Sequence, residues 1–391
     1  MSALIVWLAA MVMSPFGLYH HVPAGDLEKP ALRQDLTTNF SLVPVRGDEG
    51  STTAGVGDLL KNRGNTAVYL YRRGTAVSEE DAAALGRDHP DWVAHDAAGK
   101  VVTSNAGGQV IDITNPAVRE WLVSGVTRDV KAGAYDGVYL DVLGSFFSAR
   151  FYSGRPVIGG TPLADAGWRD ASIAVVKAVK AATGKPVVAN GFGLQNGKNY
   201  ADHKADSDLL IAAADGIQIE QFVRNGNMGL DKYKATKRWR EDVAFVAALG
   251  REGKIVLADT RVRSTADVAA VGRQREYALA SFLLGAEGPA RFRFAEGAGT
   301  GTVDGGMSEI ISGLGPPLAA AKNEGDVMSR EFANGDVRVN PTTHDARIVV
   351  EKHTVTTAPP PHEDTTRFYI IGGAALALVV GGLAFGRRRR A

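Results

Sequence analysis

The chain alternates short apolar runs with longer stretches in which apolar residues recur every three or four positions. Short runs rich in Val, Ile, Tyr and Phe are typical of strands that are buried on both faces, as in a parallel sheet. The eight such runs after the N-terminal segment are Gly17–Val22, Phe40–Val45, Ala67–Arg72, Gly137–Asp141, Pro186–Asn190, Gly216–Phe222, Lys254–Asp259 and Ala290–Phe294.

Helical periodicity fills most of the gaps between these runs. Ala117–Ala132 follows Asn115-Pro116, which places an N-cap residue before a proline in the first turn. Helices are also predicted for Trp168–Thr183, Lys237–Leu249 and Arg273–Leu284. Alternating strands and helices predict an α/β fold with a parallel sheet, and eight repeats predict a closed (β/α)8 TIM barrel. A doubly wound open sheet is the alternative, although no G-x-G-x-x-G follows the first strand to support its dinucleotide-binding form.

Two carboxylates stand at the carboxyl ends of predicted strands. Asp141 closes the apolar run GVYLD, and Glu220 lies near the end of GIQIEQF. In a TIM barrel these ends form the active-site face, and glycoside hydrolysis needs one protonated carboxyl and one ionised carboxylate flanking the scissile bond. The alternatives are structural: Asp141 could cap a helix or pair with an arginine, and Glu220 could pair with Arg224.

Other polar and aromatic groups at the strand ends fit a sugar-binding site. Sugars are held by hydrogen bonds and by stacking on aromatic rings. The predicted substrate-binding residues are Tyr19, His20, Tyr71, Arg72, Asn190, Phe222, Asp259 and Arg293, with His21, Phe146 and Phe147 as further candidates. A zinc site at His20-His21 is disfavoured because adjacent side chains of a strand point to opposite faces. The Gly297–Gly306 stretch fits no phosphate-binding spacing, so the sequence predicts neither a metal nor a cofactor.

Two smaller regions of β-structure are predicted. The longest insertion, Gly74–Thr114, contains a segment that predicts a hairpin around Asp96–Gly99. Arg330–Val350 alternates apolar and polar residues, which indicates β-structure appended to the barrel.

Composition and the two ends of the chain define the expected surroundings. The 391 residues carry a formal net charge of +1, which gives no reason to expect nucleic acid, and contain no cysteine. The uncharged run at 368–386 followed by Arg387–Arg390 predicts a transmembrane helix with a cytoplasmic tail and everything before it outside the cell. The predicted regions are a possible signal peptide or short anchor at 1–13, the barrel at 14–328, a β-appendage at 329–352, a Pro- and Thr-rich stalk at 353–367, the transmembrane helix at 368–386 and the tail at 387–391.

The order of several segments resembles one group of proteins. The segments are AVYLYR at 67–72, HPDWVAHDAAGK at 89–100, IDITNPAVREW at 111–121, DGVYLDVLG at 136–144, VVANGFG at 187–193, DGIQIEQF at 215–222 and ALASFLLGAEGPARFRF at 278–294. Together they resemble hypothetical glycoside hydrolase family 15, near the polygalactosaminidase-like barrels, over about Phe16 to Asn340. The resemblance implies a TIM barrel that hydrolyses carbohydrate, with Asp141 and Glu220 at the catalytic positions. Arg293 departs from the small or aromatic residue expected there.

These observations together predict a membrane-anchored, cell-surface glycoside hydrolase that acts on a polysaccharide or oligosaccharide. Glu220 is the expected general acid and Asp141 the nucleophile or base. The alternative is a non-catalytic surface protein that uses the barrel to bind carbohydrate or to hold the envelope.

Overall fold

The computed structural model describes residues 16–46, 53–105, 107–144, 151–191, 204–297 and 306–351. The predicted N-terminal segment, the stalk, the transmembrane helix, Phe146 and Phe147 lie outside these residues. Within the described ranges, no helix is long and apolar enough to cross a membrane.

Strands and helices alternate along most of the described chain. The strands are β1 (Gly17–Leu18), β2 (Val22–Pro23), β3 (Leu42–Arg46), β4 (Ala67–Arg73), β5 (Ala76–Val77), β6 (Gln109–Val110), β7 (Gly137–Asp141), β8 (Val157–Ile158), β9 (Thr161–Pro162), β10 (Val187–Ala189), β11 (Gly216–Ile219), β12 (Ile255–Val262), β13 (Ala290–Glu296), β14 (Lys322–Glu324), β15 (Val327–Phe332), β16 (Gly335–Asn340) and β17 (Asp345–Val350). The α-helices are α1 (Pro30–Asn39), α2 (Ala54–Asn62), α3 (Glu79–Asp88), α4 (Pro116–Gly133), α5 (Asp165–Thr183), α6 (Lys204–Ala213), α7 (Thr236–Arg251), α8 (Val268–Gly285) and α9 (Met307–Leu314). Short 3₁₀ helices cover Ala24–Glu28 and Pro90–Trp92.

The central sheet is parallel and curled. Within the described ranges it has nine strands in the order β1-β13-β12-β11-β10-β7-β4-β3-β2. Helices connect most neighbouring strands, so the predicted α/β class is confirmed. The predicted helix that follows Asn115-Pro116 is confirmed as α4, whose first turn is capped by the Asn115 side chain.

The first predicted strand is divided into two short pieces. β1 pairs with β13 on one side, and β2 pairs with β3 on the other. Between the pieces, the Tyr19 amide donates to the Phe292 carbonyl, and the His20 amide donates to the Leu42 carbonyl. The sequence predicted eight strands because Gly17–Val22 reads as one run, whereas these residues pair with a different neighbour at each end.

Side chains of the central sheet alternate between two apolar environments. One set, which includes Val43, Val68 and Val138, belongs to the main core cluster with the surrounding helices. The other set encloses a separate cluster inside the curl of the sheet, formed by Tyr19, Leu42, Tyr69, Tyr71, Tyr139, Val188 and Leu257. Because side chains repeat every second residue on one face, this alternation decides which strand-end residues face the mouth of the sheet.

The remaining β-structure lies outside the central sheet. The predicted hairpin is confirmed by an antiparallel bridge between His95 and Val101, with Gly99 in the left-handed conformation that such a turn requires. β14 to β17 form a four-stranded antiparallel sheet, which begins before the predicted appendage at 329. Phe332 of this sheet packs edge-to-face against Phe16, with ring centroids 6.2 Å apart.

Candidate active site

Asp141 is held at the mouth of the sheet by three hydrogen-bond donors. It is the last residue of β7, and Val138 to Leu140 before it are fully buried. Its Oδ1 accepts from the Val142 amide at 2.8 Å and from the Asn190 side-chain amide at 2.8 Å. Its Oδ2 accepts from the Tyr71 hydroxyl. Three donors on two oxygens fix the orientation of this carboxyl group.

Glu220 follows β11 directly and has a different environment. Burial raises the pKa of this carboxyl from its ordinary value of 4.5 to about 7, and the negative charge of Asp141 is the second cause. The hydrogen bond from Asn190 opposes this shift. Glu220 therefore holds its proton up to neutral pH, as a general acid must.

Asn190 joins the two carboxylates. Its Nδ2 donates to Asp141 Oδ1 at 2.8 Å and to Glu220 Oε1 at 3.0 Å, so these two oxygens are no more than about 6 Å apart. Its own carbonyl oxygen accepts from the Gly191 amide at 2.8 Å, which fixes the orientation of the side chain. β10, which ends just before Asn190, lies between β7 and β11 in the sheet. Neighbouring parallel strands thus bring residues 141, 190 and 220 to one place.

The backbone turns sharply after each carboxylate. Val142 and Gln221 both have positive φ, at 57° and 60°. The left-handed region is unfavourable for non-glycine residues and especially for β-branched ones, and such strain is concentrated at functional sites. The Val142 amide itself donates to the Asp141 carboxylate at 2.8 Å.

A hydrogen-bonded aromatic layer lies beneath the carboxylates. Tyr71 and Tyr139 stack with ring centroids 5.3 Å apart, and the His21 ring meets Tyr139 edge-on at 4.6 Å. The Tyr139 hydroxyl donates to Gln218 Oε1 at 2.5 Å, and His21 Nε2 lies 2.8 Å from the same oxygen. Burial lowers the pKa of His21, and the charge of Arg293 lowers it further. His21 is therefore neutral and serves as a hydrogen-bond donor to Gln218.

A buried ion pair occupies the side of the mouth next to Glu220. Asp259 and Arg293 are register partners on β12 and β13, with Oδ1 and Nη1 3.5 Å apart. Tyr19 lies close enough for both charges to influence its hydroxyl, although burial is the main reason why the pKa of Tyr19 is raised. Within the described ranges, no group of three or more His, Cys, Asp and Glu residues is arranged to hold a metal ion.

Comparison with known proteins places this site in a family. The sequence profile of hypothetical glycosyl hydrolase family 15 matches residues 65–336, which include Tyr71, Asp141, Asn190 and Glu220. The chain belongs to this family. The resemblance predicted from the sequence is thereby confirmed, and so is the expectation of an enzyme of the glycoside hydrolase class. No curated protein matches the chain significantly.

Solved structures similar to this chain include several glycoside hydrolases. A dextranase from Flavobacterium johnsoniae is 13% identical, with a TM-score of 0.52 over 77% of this chain and 39% of the dextranase. A variant of the glycoside hydrolase domain of PelA from Pseudomonas aeruginosa is 17% identical, with a TM-score of 0.46 over 73% of this chain and 96% of that domain. A maltogenic α-amylase from Thermotoga neapolitana is 13% identical, with a TM-score of 0.47 over 83% and 86% of the two chains. At these identities the dextranase shows the fold alone.

Three of the predicted sugar-binding residues do not face the mouth of the central sheet. Arg72 forms an ion pair with Asp129 of α4, on the face of β4 opposite Tyr71. His20 packs against Phe40, with ring centroids 5.5 Å apart. Phe222 is fully buried in the main core cluster. The sequence marked these residues by their place near a strand end, but the side-chain alternation puts the first two on the outer face.

The alternative role predicted for Glu220, an ion pair with Arg224, is not found among the described residues. Arg224 donates to the backbone carbonyls of Met228, Gly229 and Lys232. Sequence reasoning also missed Tyr139 and Gln218, which lie under the carboxylates. Their signal was available, because each stands two residues before a predicted catalytic carboxylate and therefore on the same face of its strand.

Proposed function

We propose that this protein hydrolyses O-glycosidic bonds of a polysaccharide or oligosaccharide, with Glu220 as general acid and Asp141 as nucleophile. The observation that carries the proposal is the placement of two carboxylates in contrasting environments on one Asn190 amide. Retaining glycosidases have carboxyl groups about 5 to 5.5 Å apart, whereas inverting enzymes need roughly 6.5 to 9.5 Å to admit a water molecule. The limit set by Asn190 favours retention.

The roles follow from the hydrogen bonds. Asp141, with three donors on its carboxylate, attacks the anomeric carbon while Glu220 gives its proton to the departing glycosidic oxygen. Water then attacks the glycosyl–Asp141 ester, and Glu220 takes one proton from that water. Asp141 leaves as a carboxylate, and Glu220 is again protonated for the next cycle.

We infer further that the central sheet closes into a (β/α)8 barrel. β1 and β2 are the two end strands of the sheet, and only residues 19–21 separate them along the chain. β1 pairs with β13 at one end, and β2 pairs with β3 at the other. The hydrogen bonds of the Tyr19 and His20 amides to these two neighbours support one interrupted strand that joins both edges. A closed barrel would gather all its strand ends around one mouth.

The proposed chemistry is tested with Asp141→Asn and Glu220→Gln. Each removes one reacting carboxyl at nearly constant shape, so we expect the hydrolytic rate to fall by about 10² to 10⁴. Asp170→Asn, at an exposed aspartate of α5, is the matched control and should keep full rate. The anomer first formed, followed by proton NMR, should match the anomer of the substrate.

Other outcomes of this test select a different function. A first product of opposite configuration would make Asp141 a base rather than a nucleophile. A protein that binds glycans equally well in all these forms, and turns over none, would be the surface binding protein instead.

We also propose that the protein is anchored by a single transmembrane helix at 368–386, with the barrel outside the cell. The uncharged run and the four arginines after it support this arrangement. In intact cells, external protease should digest the barrel, while a tag placed after residue 391 stays protected. A chain shortened after residue 351 should be recovered in the medium, and its recovery in the cytoplasm would contradict the proposal.

A further inference from the structure

Arginines stand on both sides of the proposed catalytic pair. Period-two alternation places Arg46 at the end of β3 on the same face as Leu42 of the inner aromatic cluster. It likewise places Arg261, near the end of β12, on the face of Leu257. Both inward positions lie at the carboxyl ends of their strands, where β/α barrels bind substrate.

Arg46 lies on the Asp141 side of the mouth. Its guanidinium carbon is 5.9 Å from the centroid of the Tyr71 ring, whose hydroxyl donates to Asp141. Arg46 is exposed, and no acidic residue within the described ranges forms an ion pair with it. A cation here is therefore available to a ligand that reaches Asp141.

Arg261 lies on the Glu220 side. It belongs to β12, the neighbour of the strand β11 that Glu220 follows, and its charge lowers the pKa of Glu220 against the larger opposing effects of burial and of Asp141. The side chain is 39% exposed, and its nearest acidic partner is Asp259, at 3.7 Å. Asp259 already has Arg293 at 3.5 Å, so one carboxylate is shared by two guanidinium groups. Together these three groups carry one net positive charge.

Beneath these charges lies a polar group that has no partner. The Tyr19 hydroxyl is completely buried and forms no hydrogen bond within the described part of the chain. Asp259, Arg293, Glu220 and Arg261 all act on this hydroxyl. Buried polar groups without a partner are rare in proteins, and each calls for an explanation such as a bound ligand or ion.

We propose that the glycan cleaved at this site is acidic, with carboxylates on the sugars that flank the scissile bond, one held by Arg46 and the other by Arg261. Guanidinium groups bind carboxylates through paired hydrogen bonds, whereas a cationic sugar would be repelled at both positions. The assignment rests on the proposed glycosidase function, because it uses the position of the scissile bond between Asp141 and Glu220.

The test measures equilibrium binding with the full chain carrying Glu220→Gln, so that no probe is cleaved. The probes are oligogalacturonate and oligoglucuronate, the same chains with methyl-esterified carboxylates, sulfated galactan oligosaccharides and chitosan oligosaccharides. We expect the free acids to bind roughly tenfold or more tightly than their esters, with a preference that weakens as salt is added. Arg46→Gln and Arg261→Gln should each remove most of this preference. Arg128→Gln, which changes an arginine that is 72% exposed on α4, should leave it intact.

Three results would overturn the proposal. They are equal binding of acids and esters, tighter binding of chitosan or of the sulfated chains, and a preference that survives both arginine substitutions. Hydrolysis of the same probes by the unmodified chain separates this inference from the proposed function. If the chain cleaves the probes without regard to their charge, the acidic-substrate inference is wrong and the glycosidase proposal stands. If it binds acids selectively but cleaves none of them, the glycosidase proposal is wrong and the preference for acidic glycans stands.

Discussion

Glu220, the proposed general acid, also affects the stability of the folded chain. Its pKa is about 7 in the folded state against an ordinary value of 4.5, so between these pH values the folded state holds a proton that the unfolded state has lost. The contribution of Glu220 to the free energy of unfolding therefore falls as pH rises from about 4.5 to about 7, and stays level above that. A proton-donating carboxyl in this position costs stability at neutral and alkaline pH.

We expect Glu220→Gln to remove this cost. At pH 8 the variant should be more stable than the unmodified chain by up to roughly 3 kcal/mol, because each pKa unit corresponds to about 1.4 kcal/mol. At pH 4 the two should be nearly equal. Urea unfolding at both pH values measures the difference, with Glu120→Gln, at an exposed residue of α4, as the control. An equal gain at both pH values would mean that the charge of Glu220 is not its source.

At the scale of elements, the turns that follow β7 and β11 position the two proposed catalytic carboxyl groups. Gln221 has a φ of 60°, and Ala134, the C-cap of α4, has a φ of 51° just before the start of β7, at the opposite end of that strand from Asp141. A non-glycine residue in this region costs about 1 to 2 kcal/mol. Gln221→Gly and Ala134→Gly should therefore both raise the free energy of unfolding. The expected gain is up to about 1 kcal/mol, because the greater entropy that glycine gives the unfolded chain offsets part of the relieved strain.

Only the first of these variants should affect catalysis. A glycine after Glu220 loosens the turn that positions its carboxyl, so kcat should fall severalfold, whereas Ala134→Gly should leave kcat unchanged. Thermal unfolding and initial rates of the two variants give both quantities. Equal rates in both variants would show that the conformation of Gln221 has no part in positioning Glu220.

Patterns of apolar residues predicted some of these elements but not the contacts between them. Gly137–Asp141 was predicted with its observed bounds because an apolar run between two aspartates defines a buried strand by itself. Arg72 was predicted to bind substrate because it ends a strand, but it pairs with Asp129 on the face opposite Tyr71, and a strand end alone does not specify the face of a side chain. The bridge from Asn190 to both carboxylates depends on β10 lying between β7 and β11, and strand order is set by contacts far apart in sequence. Local patterns thus predicted the participants, and only the fold specifies their hydrogen bonds.

At the scale of the whole molecule, one buried arginine joins the four-stranded sheet to α8, a helix that packs on the central sheet. Arg330 of β15 is almost completely buried and donates to the carbonyls of Leu283 and Ala286 at the end of α8, at 3.0 and 2.6 Å. It also forms an ion pair with Glu287 at 2.9 Å. Removing one member of a buried charged network leaves its partners unsatisfied and typically costs about 3 to 5 kcal/mol.

We therefore expect Arg330→Ala to destabilise both sheets together. The variant should unfold in one transition, at lower urea concentration, because the four-stranded sheet and α8 share this contact and the packing of Phe332 on Phe16. Arg338→Ala is the matched control: Arg338 lies on the neighbouring strand β16, is 57% exposed and pairs with Asp336, so its loss should cost less than about 1 kcal/mol. Hydrogen exchange checks for a separate early transition of β14 to β17. If one is found, the four-stranded sheet unfolds independently of the central sheet and the expectation is wrong.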